Sequence, residues 1–475
     1  MRRWCCVVGS ILLVAGTTSS VVGQLEQQTP THDLTLDDCL AQAFRRSPEI
    51  QQLQKEVDRA AGTQIVDRSR ALPQLNGSLT AGLRGGNLYN GPDTRKDPDT
   101  GVISTNRSRE FNPTLFSAVS AQFSQPLIDL GIPSSLRRGR LEIVIAQQNL
   151  NREVTDRLYD ARVAFLRALY LRDLIRIHEE IARQLDANVT SEQQRLDAGT
   201  GTKQAVASAN VQKLNLALTL SNLRGEYVTT LTRIDDLCGL NLKDDTGNPG
   251  QLWFPKPVGD MEYAPVTVDL SRESAYALAH RADLKLLDAL VDATAADKQS
   301  TEAGYFPVIS LIGSALFIPE NYLLTRQTQI VVGQQTESSE GRVGVALSWQ
   351  VIDNGQITGA SHQLEAIRQE YVIDRRKLQQ DIPRELVAVK NALQTAEARH
   401  DALAKSATAA EENLKLIEAQ IRLGQATQLD FLKAQTDLLS VRAGVADATY
   451  VHEVARANLD RVMGRYLQFH SENAP

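Results

Sequence analysis

Four stretches of the chain alternate between apolar and polar residues with the period of a β-strand that has one apolar face. The alternating apolar positions are Leu75, Gly77, Leu79, Ala81 and Leu83 in the first, Val119, Ala121 and Phe123 in the second, and Val343, Val345, Leu347, Trp349 and Val351 in the fourth. The third stretch, PVISLIGSALF from Pro307, is apolar on both faces. We predict four strands of about 10 residues each, the length of a tilted membrane-spanning strand.

A different pattern surrounds Gly424, where apolar residues recur at alternating spacings of four and three. The positions are Leu403, Ala407, Ala410, Leu414, Ile417 and Ile421 before the glycine, and Leu432, Thr436, Leu439, Ala443, Ala446 and Tyr450 after it. Two such seams around a glycine turn predict an antiparallel coiled-coil hairpin with a core of small residues. A solvated surface hairpin is the alternative interpretation.

The chain also repeats itself. SQPLIDLG at residues 124–131 shares Ser, Ile, Asp and Gly in register with SWQVIDNG at residues 348–355, and Gly199 and Thr202 in DAGTGT correspond to Gly424 and Thr427 in RLGQAT. LDDCLAQAFRRSPEIQQLQ, which begins at Leu36, aligns without gaps with LSRESAYALAHRADLKLLD, which begins at Leu270. We therefore predict an internal duplication, with repeats at residues 24–240 and 270–465, a linker at 241–269 and a tail at 466–475.

Each repeat is predicted as helix, strand, loop, strand, long helix, tight turn and helix. The Gly, Asn, Pro and Asp-rich segments 85–113 and 319–341 are predicted loops. The long helices should span about 60 residues, or about 90 Å, and the helices before the strands and after the turns about 36 residues each. Pro383 lies inside the second long helix, where we expect a kink or a break.

Composition narrows the class of protein. Aromatic residues make up only 5% of the chain, and the net charge of −6 shows no basic surplus, which argues against nucleic acid as a partner. Two arginines and an apolar run within residues 1–23 predict a secretory signal peptide. Only Cys39 and Cys238 follow that segment. They could form one bridge in an oxidising compartment, although two unpaired small apolar residues are the interpretation that we favour at this stage.

Four strands cannot close a barrel, since single-sheet barrels begin at about eight strands. A membrane-spanning sheet must have no open edge, so two, three or four copies of the chain would have to assemble. Trp349, near the end of an apolar face, is a candidate for the aromatic girdle at the membrane interface, although a core tryptophan is an alternative.

These features together resemble the TolC-type outer membrane efflux proteins. The resemblance extends from LTLDDCLAQAFRRSPEI to the final DRVMGR, and its most specific elements are the duplicated order, the QPLIDLG-like junction and RLGQATQLDFLKAQTDLL. It implies an α+β membrane protein: a homotrimer with a transmembrane β-barrel, four strands per chain, continuous with a periplasmic α-helical barrel of coiled-coil hairpins. It also implies the outer membrane of a Gram-negative-type bacterium, contact with outer-membrane lipid, a periplasmic adaptor and an inner-membrane pump.

The resemblance implies an efflux or type I secretion channel and no enzyme. The sequence agrees, because no metal-ligand cluster, nucleophile triad or phosphate-binding loop is present, and no cofactor is expected. The rival interpretation is a periplasmic coiled-coil adaptor or structural interaction protein. An adaptor should carry its strands between the two halves of one hairpin, whereas here strands precede each of two hairpins.

The resemblance also suggests a pore gate near the second turn. Asp430 matches an acidic family position that rings the closed pore, whereas Lys433 replaces the second acid, and Ala205, Ile421 and Ala426 replace polar latch residues. Three Asp430 carboxylates around one axis would favour cations. The alternative is that Asp430 is a solvated helix-start residue, in which case Ile421 and Leu429 are the next gate candidates.

The two turns are the predicted adaptor-docking sites. They contain Gly199 and Thr202 in the first repeat and Gly424 and Thr427 in the second. We expect each glycine to adopt a left-handed conformation where the chain reverses.

Overall fold

The computed structural model describes residues 33–89, 93–106, 109–239, 254–318 and 338–466. The predicted signal peptide, residues 241–253 of the predicted linker and all but the first residue of the predicted tail lie outside these ranges. None of the helices within them combines the length and hydropathy needed to span a lipid bilayer.

The first half contains two long strands flanked by helices, together with three short strands. Its elements are β1 (Asp33–Leu34), α1 (Leu36–Arg46), α2 (Pro48–Ser69), β2 (Gln74–Tyr89), β3 (Asp93–Lys96), β4 (Ile103–Asn106), β5 (Arg109–Ile128), α3 (Gly131–Asp197) and α4 (Lys203–Cys238).

The second half has the same order of main elements. They are β6 (Lys256–Pro257), α5 (Leu270–His280), α6 (Ala282–Glu302), a 3-10 turn (Ala303–Tyr305), β7 (Val308–Ile318), β8 (Ser338–Ser348), α7 (Gln356–Arg422) and α8 (Gln428–Met463). The long helices α3 and α7 have 67 residues each, and α4 and α8 have 36 each.

The helix before each strand pair is broken, whereas the sequence predicted one continuous helix. In the first half Pro48 explains the break, because the residue before a proline is disfavoured in the α conformation, and Ser47 has ψ 124°. The second half has no proline there. Arg281 has ψ 130°, and its guanidinium pairs with the carboxylates of Asp283 and Glu385, each at 2.6 Å. These ion pairs hold the extended residue in place.

The sequence predicted a kink or a break at Pro383, and the break is wrong, because α7 runs through this residue as one helix. Ile382 and Leu386, on either side of the proline, are fully buried in the same apolar cluster as Leu459 and Met463 of α8. This packing offsets the cost of the missing backbone N–H donor.

The predicted loop at 85–113 is also wrong in large part. Strand β2 has 16 residues and β5 has 20, so both exceed the predicted length and pair as far as Tyr89 and Arg109. The short hairpin β3–β4 lies between them. The start of β8 at Ser338 likewise falls within the predicted loop 319–341, of which residues 319–337 lie outside the described ranges.

The chain divides into two compact units. The sheet unit comprises residues 55–147 and 285–376 and contains a four-stranded antiparallel sheet in the order β2-β5-β7-β8. The repeated phrase lies where a strand of this sheet leads into a long helix. The Asp129 and Asp353 carboxylates accept hydrogen bonds from the N–H groups of Gly131 (2.8 Å) and Gly355 (3.2 Å). The shared Asp and Gly therefore turn the chain from strand to helix.

The helical unit comprises the described residues up to 54, residues 148–284 and those from 377 onward. One of its apolar clusters joins α5, α7 and α8, with Val266 and Val268 of the linker packed against it. Phe165 of α3 is fully buried within this unit.

Candidate functional site

Both hairpin turns have the same backbone geometry. Gly199 has φ +76° and Gly424 has φ +71°, which confirms the predicted left-handed conformation. Thr200 N–H donates to Arg195 C=O at 2.9 Å, and Gln425 N–H donates to Gln420 C=O at 2.8 Å. This bonding over five residues is the Schellman motif that terminates a helix at a glycine.

A threonine then starts the next helix in each turn. The Thr202 hydroxyl accepts from Ala205 N–H at 3.2 Å, and the Thr427 hydroxyl accepts from Asp430 N–H at 3.3 Å. The Asp430 carboxylate in turn accepts from the Thr427 N–H at 2.9 Å and from its hydroxyl at 2.6 Å. This reciprocal capping box was not predicted, although threonine followed three residues later by an acid is its sequence signal.

The capping box favours the ionised form of Asp430, the candidate gate residue. Hydrogen bonds from Thr427, with a smaller contribution from the Lys433 ammonium, lower the pKa of the Asp430 carboxyl. Asp430 and Lys433 are both exposed on α8, as is Asp437 one turn further on. Asp430 is therefore a solvated anion at neutral pH in the single chain, on a face that carries a second acid. Leu429 is exposed and Ile421 is half-buried.

Helix α8 packs through two apolar faces, whereas the sequence suggested one seam. Phe431, Ala434 and Leu438 pack with Leu414 of α7. The predicted seam residues Leu432 and Leu439 instead pack against α3 and α4, on residues Ile181, Leu185, Leu216 and Leu220. The predicted α7 seam is correct at Ala410, Leu414 and Ile417, but the predicted α8 seam is wrong at Leu432 and Leu439. A helix that packs between two groups of helices needs two apolar faces, and heptad spacing identifies only one of these faces.

The sheet has one apolar face. Leu75, Leu79, Val119, Phe123, Leu311, Phe317, Val343, Val345 and Leu347 share it, according to the register of the four strands. Leu79 is 74% exposed and Val343 is 85% exposed. The opposite face carries Asn76, Ser78, Thr80, Ser120, Gln122, Ser124, Ser310 and Ser314, together with the apolar Ile312 and Leu316. The alternation predicted from the sequence is confirmed up to Leu347, including the apolar character of β7 on both faces, but Trp349 and Val351 follow the last residue of β8, Ser348, and are not part of the strand.

Three exposed aromatic residues lie together beside the ends of β7 and β8. Trp349 follows β8 directly, is 53% exposed, and its indole N–H donates to the Tyr305 carbonyl at 3.0 Å. Tyr305 and Phe306 precede β7 and are also exposed. Tyr305 and Phe306 were not predicted from the sequence. Their signal was the aromatic pair directly before an apolar strand.

In the described part of the chain, no group of three or more His, Cys, Asp or Glu side chains is arranged to hold a metal ion. The features that remain as candidate functional sites are the amphipathic sheet, the helical hairpins and their turns.

This architecture is that of outer-membrane channels. The outer-membrane channel OprN superposes with a TM-score of 0.70 at 16% identity, over 97% of this chain and 99% of that one. The Campylobacter jejuni CmeC outer membrane channel gives a TM-score of 0.70 at 13% identity, over 98% of both chains. At these identities the likeness shows the fold.

The chain belongs to the outer membrane efflux protein family, whose model matches residues 39–240 and 275–465. Among curated proteins it is similar to the outer membrane efflux protein BepC of Brucella suis biovar 1 (strain 1330), at 23% identity over 97% of this chain and 90% of that protein. The protein is therefore an outer-membrane component of an efflux system, as the sequence predicted.

Proposed function

We propose that three copies of the chain form a channel, in which the sheets close one transmembrane β-barrel and the helices form a periplasmic tube. The observation that carries this proposal is the sheet with two free edges. Among the described residues, strands β2 and β8 each have a neighbour on one side only. Long unpaired edges beside an exposed apolar face are untenable in lipid, where every backbone N–H and C=O must be paired.

The two faces of the sheet suit such a barrel. The apolar face would contact lipid, and the small polar side chains of the other face would line the interior. Two copies would give about eight strands, whose interior is filled by side chains, whereas three would leave an open passage. Trp349, Tyr305 and Phe306 would then form part of the aromatic girdle at one membrane interface.

The helical unit provides a second, separate observation that supports the association of several copies of the chain. Val211, Leu214 and Leu218 lie three and four residues apart on α4, and each is more than half exposed. On the other side of the same helix, Leu216 and Leu220 are buried within the chain. A second copy is the occupant that we propose for the exposed stripe, because a helix with apolar residues all round is stable only when it is buried all round.

We also propose that the chain arose by duplication, with the repeats and linker placed as the sequence predicted. Both halves have the same order of main elements, the same Schellman turn and the same threonine cap, and both match the family model. The signal peptide at residues 1–23 would direct the chain across the inner membrane.

The channel would receive its substrate from an inner-membrane pump through a periplasmic adaptor. Gly199, Thr202, Gly424 and Thr427 are all exposed, which suits docking of an adaptor at the turns. Asp430, Lys433 and Ile421 are the proposed gate, and Asp437 adds a second acid to the exposed face of α8. The adaptor alternative is disfavoured, because a soluble adaptor has no use for a sheet face as apolar as this one.

A matched pair of variants tests the barrel. Leu79→Lys places a charge on the apolar face, where it costs about 2–4 kcal/mol at the bilayer midplane. Thr80→Lys places the same charge on the neighbouring residue of the other face. We expect detergent-extracted wild type and Thr80→Lys to have the mass of three copies, and Leu79→Lys to be depleted from the outer membrane. A stable wild-type monomer, or equal depletion of both variants, would refute the barrel.

A further inference from the structure

The two cysteines of the described chain are in contact. The Sγ atoms of Cys39 and Cys238 lie 3.2 Å apart, although 199 positions separate them in the sequence. Both side chains are fully buried. Cys39 lies in the second turn of α1, and Cys238 is the last residue of α4.

The surrounding structure holds this pair in place. Thr35 caps α1 by accepting from the Asp38 N–H, and Gly239 ends α4 with φ +57°. Gly239 packs so closely on α1 that a Cβ atom there would come within 2.5 Å of the Arg46 carbonyl oxygen. The close contact of Gly239 with Arg46 therefore holds the end of α4, which carries Cys238, against α1, which carries Cys39.

We propose that Cys39 and Cys238 form a disulfide bond in the native protein. The sulfur atoms need to approach by only about 1 Å to reach the bond length of about 2.05 Å. An outer-membrane protein folds in the periplasm, an oxidising compartment in which such bonds persist. Both cysteines are free thiols in this structure, as the sequence alone favoured, and the proposal replaces that interpretation.

The oxidant is a protein of the dithiol–disulfide oxidoreductase class. One thiolate attacks the disulfide of this donor and forms a mixed disulfide, and the second thiolate then displaces the donor sulfur. The chain loses two protons and two electrons in forming the S–S bond. The donor takes up the electrons and leaves as a dithiol.

This oxidation has to occur as α1 docks on α4, before the packing of the two helices buries the thiols. In the folded chain the hydrogen bond between the two thiols and their burial raise the pKa of Cys39, so its reactive thiolate is scarce. Burial also excludes a protein-sized donor. The same burial would shield the finished bond from reductants, so the disulfide would be a permanent link between the start of α1 and the end of the first hairpin.

Alkylation of the full-length protein from outer membranes tests the proposal. The protein is denatured under trapping conditions and treated with iodoacetamide, with or without prior reduction. We expect no adduct at Cys39 or Cys238 without reduction and one adduct at each after reduction. An unreduced digest should contain one peptide that joins the two residues. Adducts at both cysteines of the unreduced protein would overturn the proposal.

Single and double alanine variants provide the controls. In Cys39→Ala the remaining Cys238 should be alkylated without reduction, and the converse should hold for Cys238→Ala. If the bond forms, a single variant loses the cross-link as completely as the double variant, so their thermal midpoints should fall below wild type by similar amounts. If the thiols only pack, the losses should instead add, and the joined peptide should be absent.

Discussion

The C-terminal glycine of the first hairpin, Gly239, allows a quantitative test of how α1 packs on α4. In Gly239→Ala the new Cβ would lie 2.5 Å from the Arg46 carbonyl oxygen and 2.9 Å from its carbonyl carbon, at a residue with φ +57°. Contacts below 3.0 Å with backbone atoms cannot be relieved by a rotamer change. The two helices would have to move apart, which would disturb the buried contact between Cys39 and Cys238.

The corresponding glycine of the second half is a matched control. Gly464 ends α8 in the same left-handed conformation, with φ +72°, but the nearest atom to its added Cβ is the Arg281 Cα at a normal 3.6 Å. Gly464→Ala should therefore cost only the conformational term, about 1 kcal/mol. Gly239→Ala should cost that amount plus about 1–3 kcal/mol for overpacking, or about 2–4 kcal/mol in total.

Both variants would be purified in the same detergent, and their denaturation would be followed by far-ultraviolet circular dichroism and by loss of the assembled species. We expect Gly239→Ala to lose two to four times as much stability as Gly464→Ala, with assembly lost first in Gly239→Ala. Equal losses would show that the close approach of Gly239 to α1 does not contribute, and the packing argument would fail.

Three further predictions concern other sites. Burial raises the pKa of Asp235 from 3.8 to about 6, so the folded state holds the Asp235 proton more tightly than the unfolded state. The stability that this tighter proton binding contributes is complete below pH 3.8 and is lost as the pH rises through about 6. Asp235→Asn should thus stabilise the protein at pH 7.5 by up to about 3 kcal/mol and at pH 5 by about half as much, and equal gains in denaturation midpoint at both pH values would contradict this. In planar bilayers, Asp430→Ala should reduce the cation selectivity of the channel and its block by divalent cations, and Lys433→Asp should increase both. If neither variant changes selectivity or block while the trimer stays intact, Asp430 is a helix cap only. Thr427→Trp should abolish cross-linking to the adaptor while the trimer stays intact. Thr427→Ser keeps the hydroxyl cap and should cross-link normally. Equal cross-linking by both variants would show that this turn is not a docking site.

Much of this fold could be predicted from local sequence patterns, because the elements concerned depend only on residues that are close in the sequence. The alternation in β8 and the glycine turns are of this kind. The extension of β2 to Tyr89 could not be predicted, since the Gly and Asn residues there favour turns and only the pairing with β5 keeps them in a strand. The break at Arg281 likewise depends on Glu385, which lies 104 residues away.

In the candidate site, too, the contacts between residues close in the sequence could be predicted, and those between distant residues could not. Thr427 and Asp430 lie three residues apart, so their capping box was readable from the sequence. The second apolar face of α8 was not, because it depends on which helices lie on either side. The contact between Cys39 and Cys238 bridges 199 positions and follows only from the docking of α1 on α4.

The central proposal, that copies of the chain join through their sheet edges, is tested most directly by cross-linking between β2 and β8. Ser78→Cys on β2 would be combined with a cysteine at position 340, 342, 344 or 346 of β8, all on the same face of the sheet, or at position 343 on the other face as a control. In a single sheet these strands are the two opposite edges, so a bond between them has to join different copies. We expect at least one same-face pair, oxidised in intact outer membranes, to give a covalent ladder that ends at three copies. Monomers alone from every same-face pair, in protein that has reached the outer membrane, would contradict the channel as proposed.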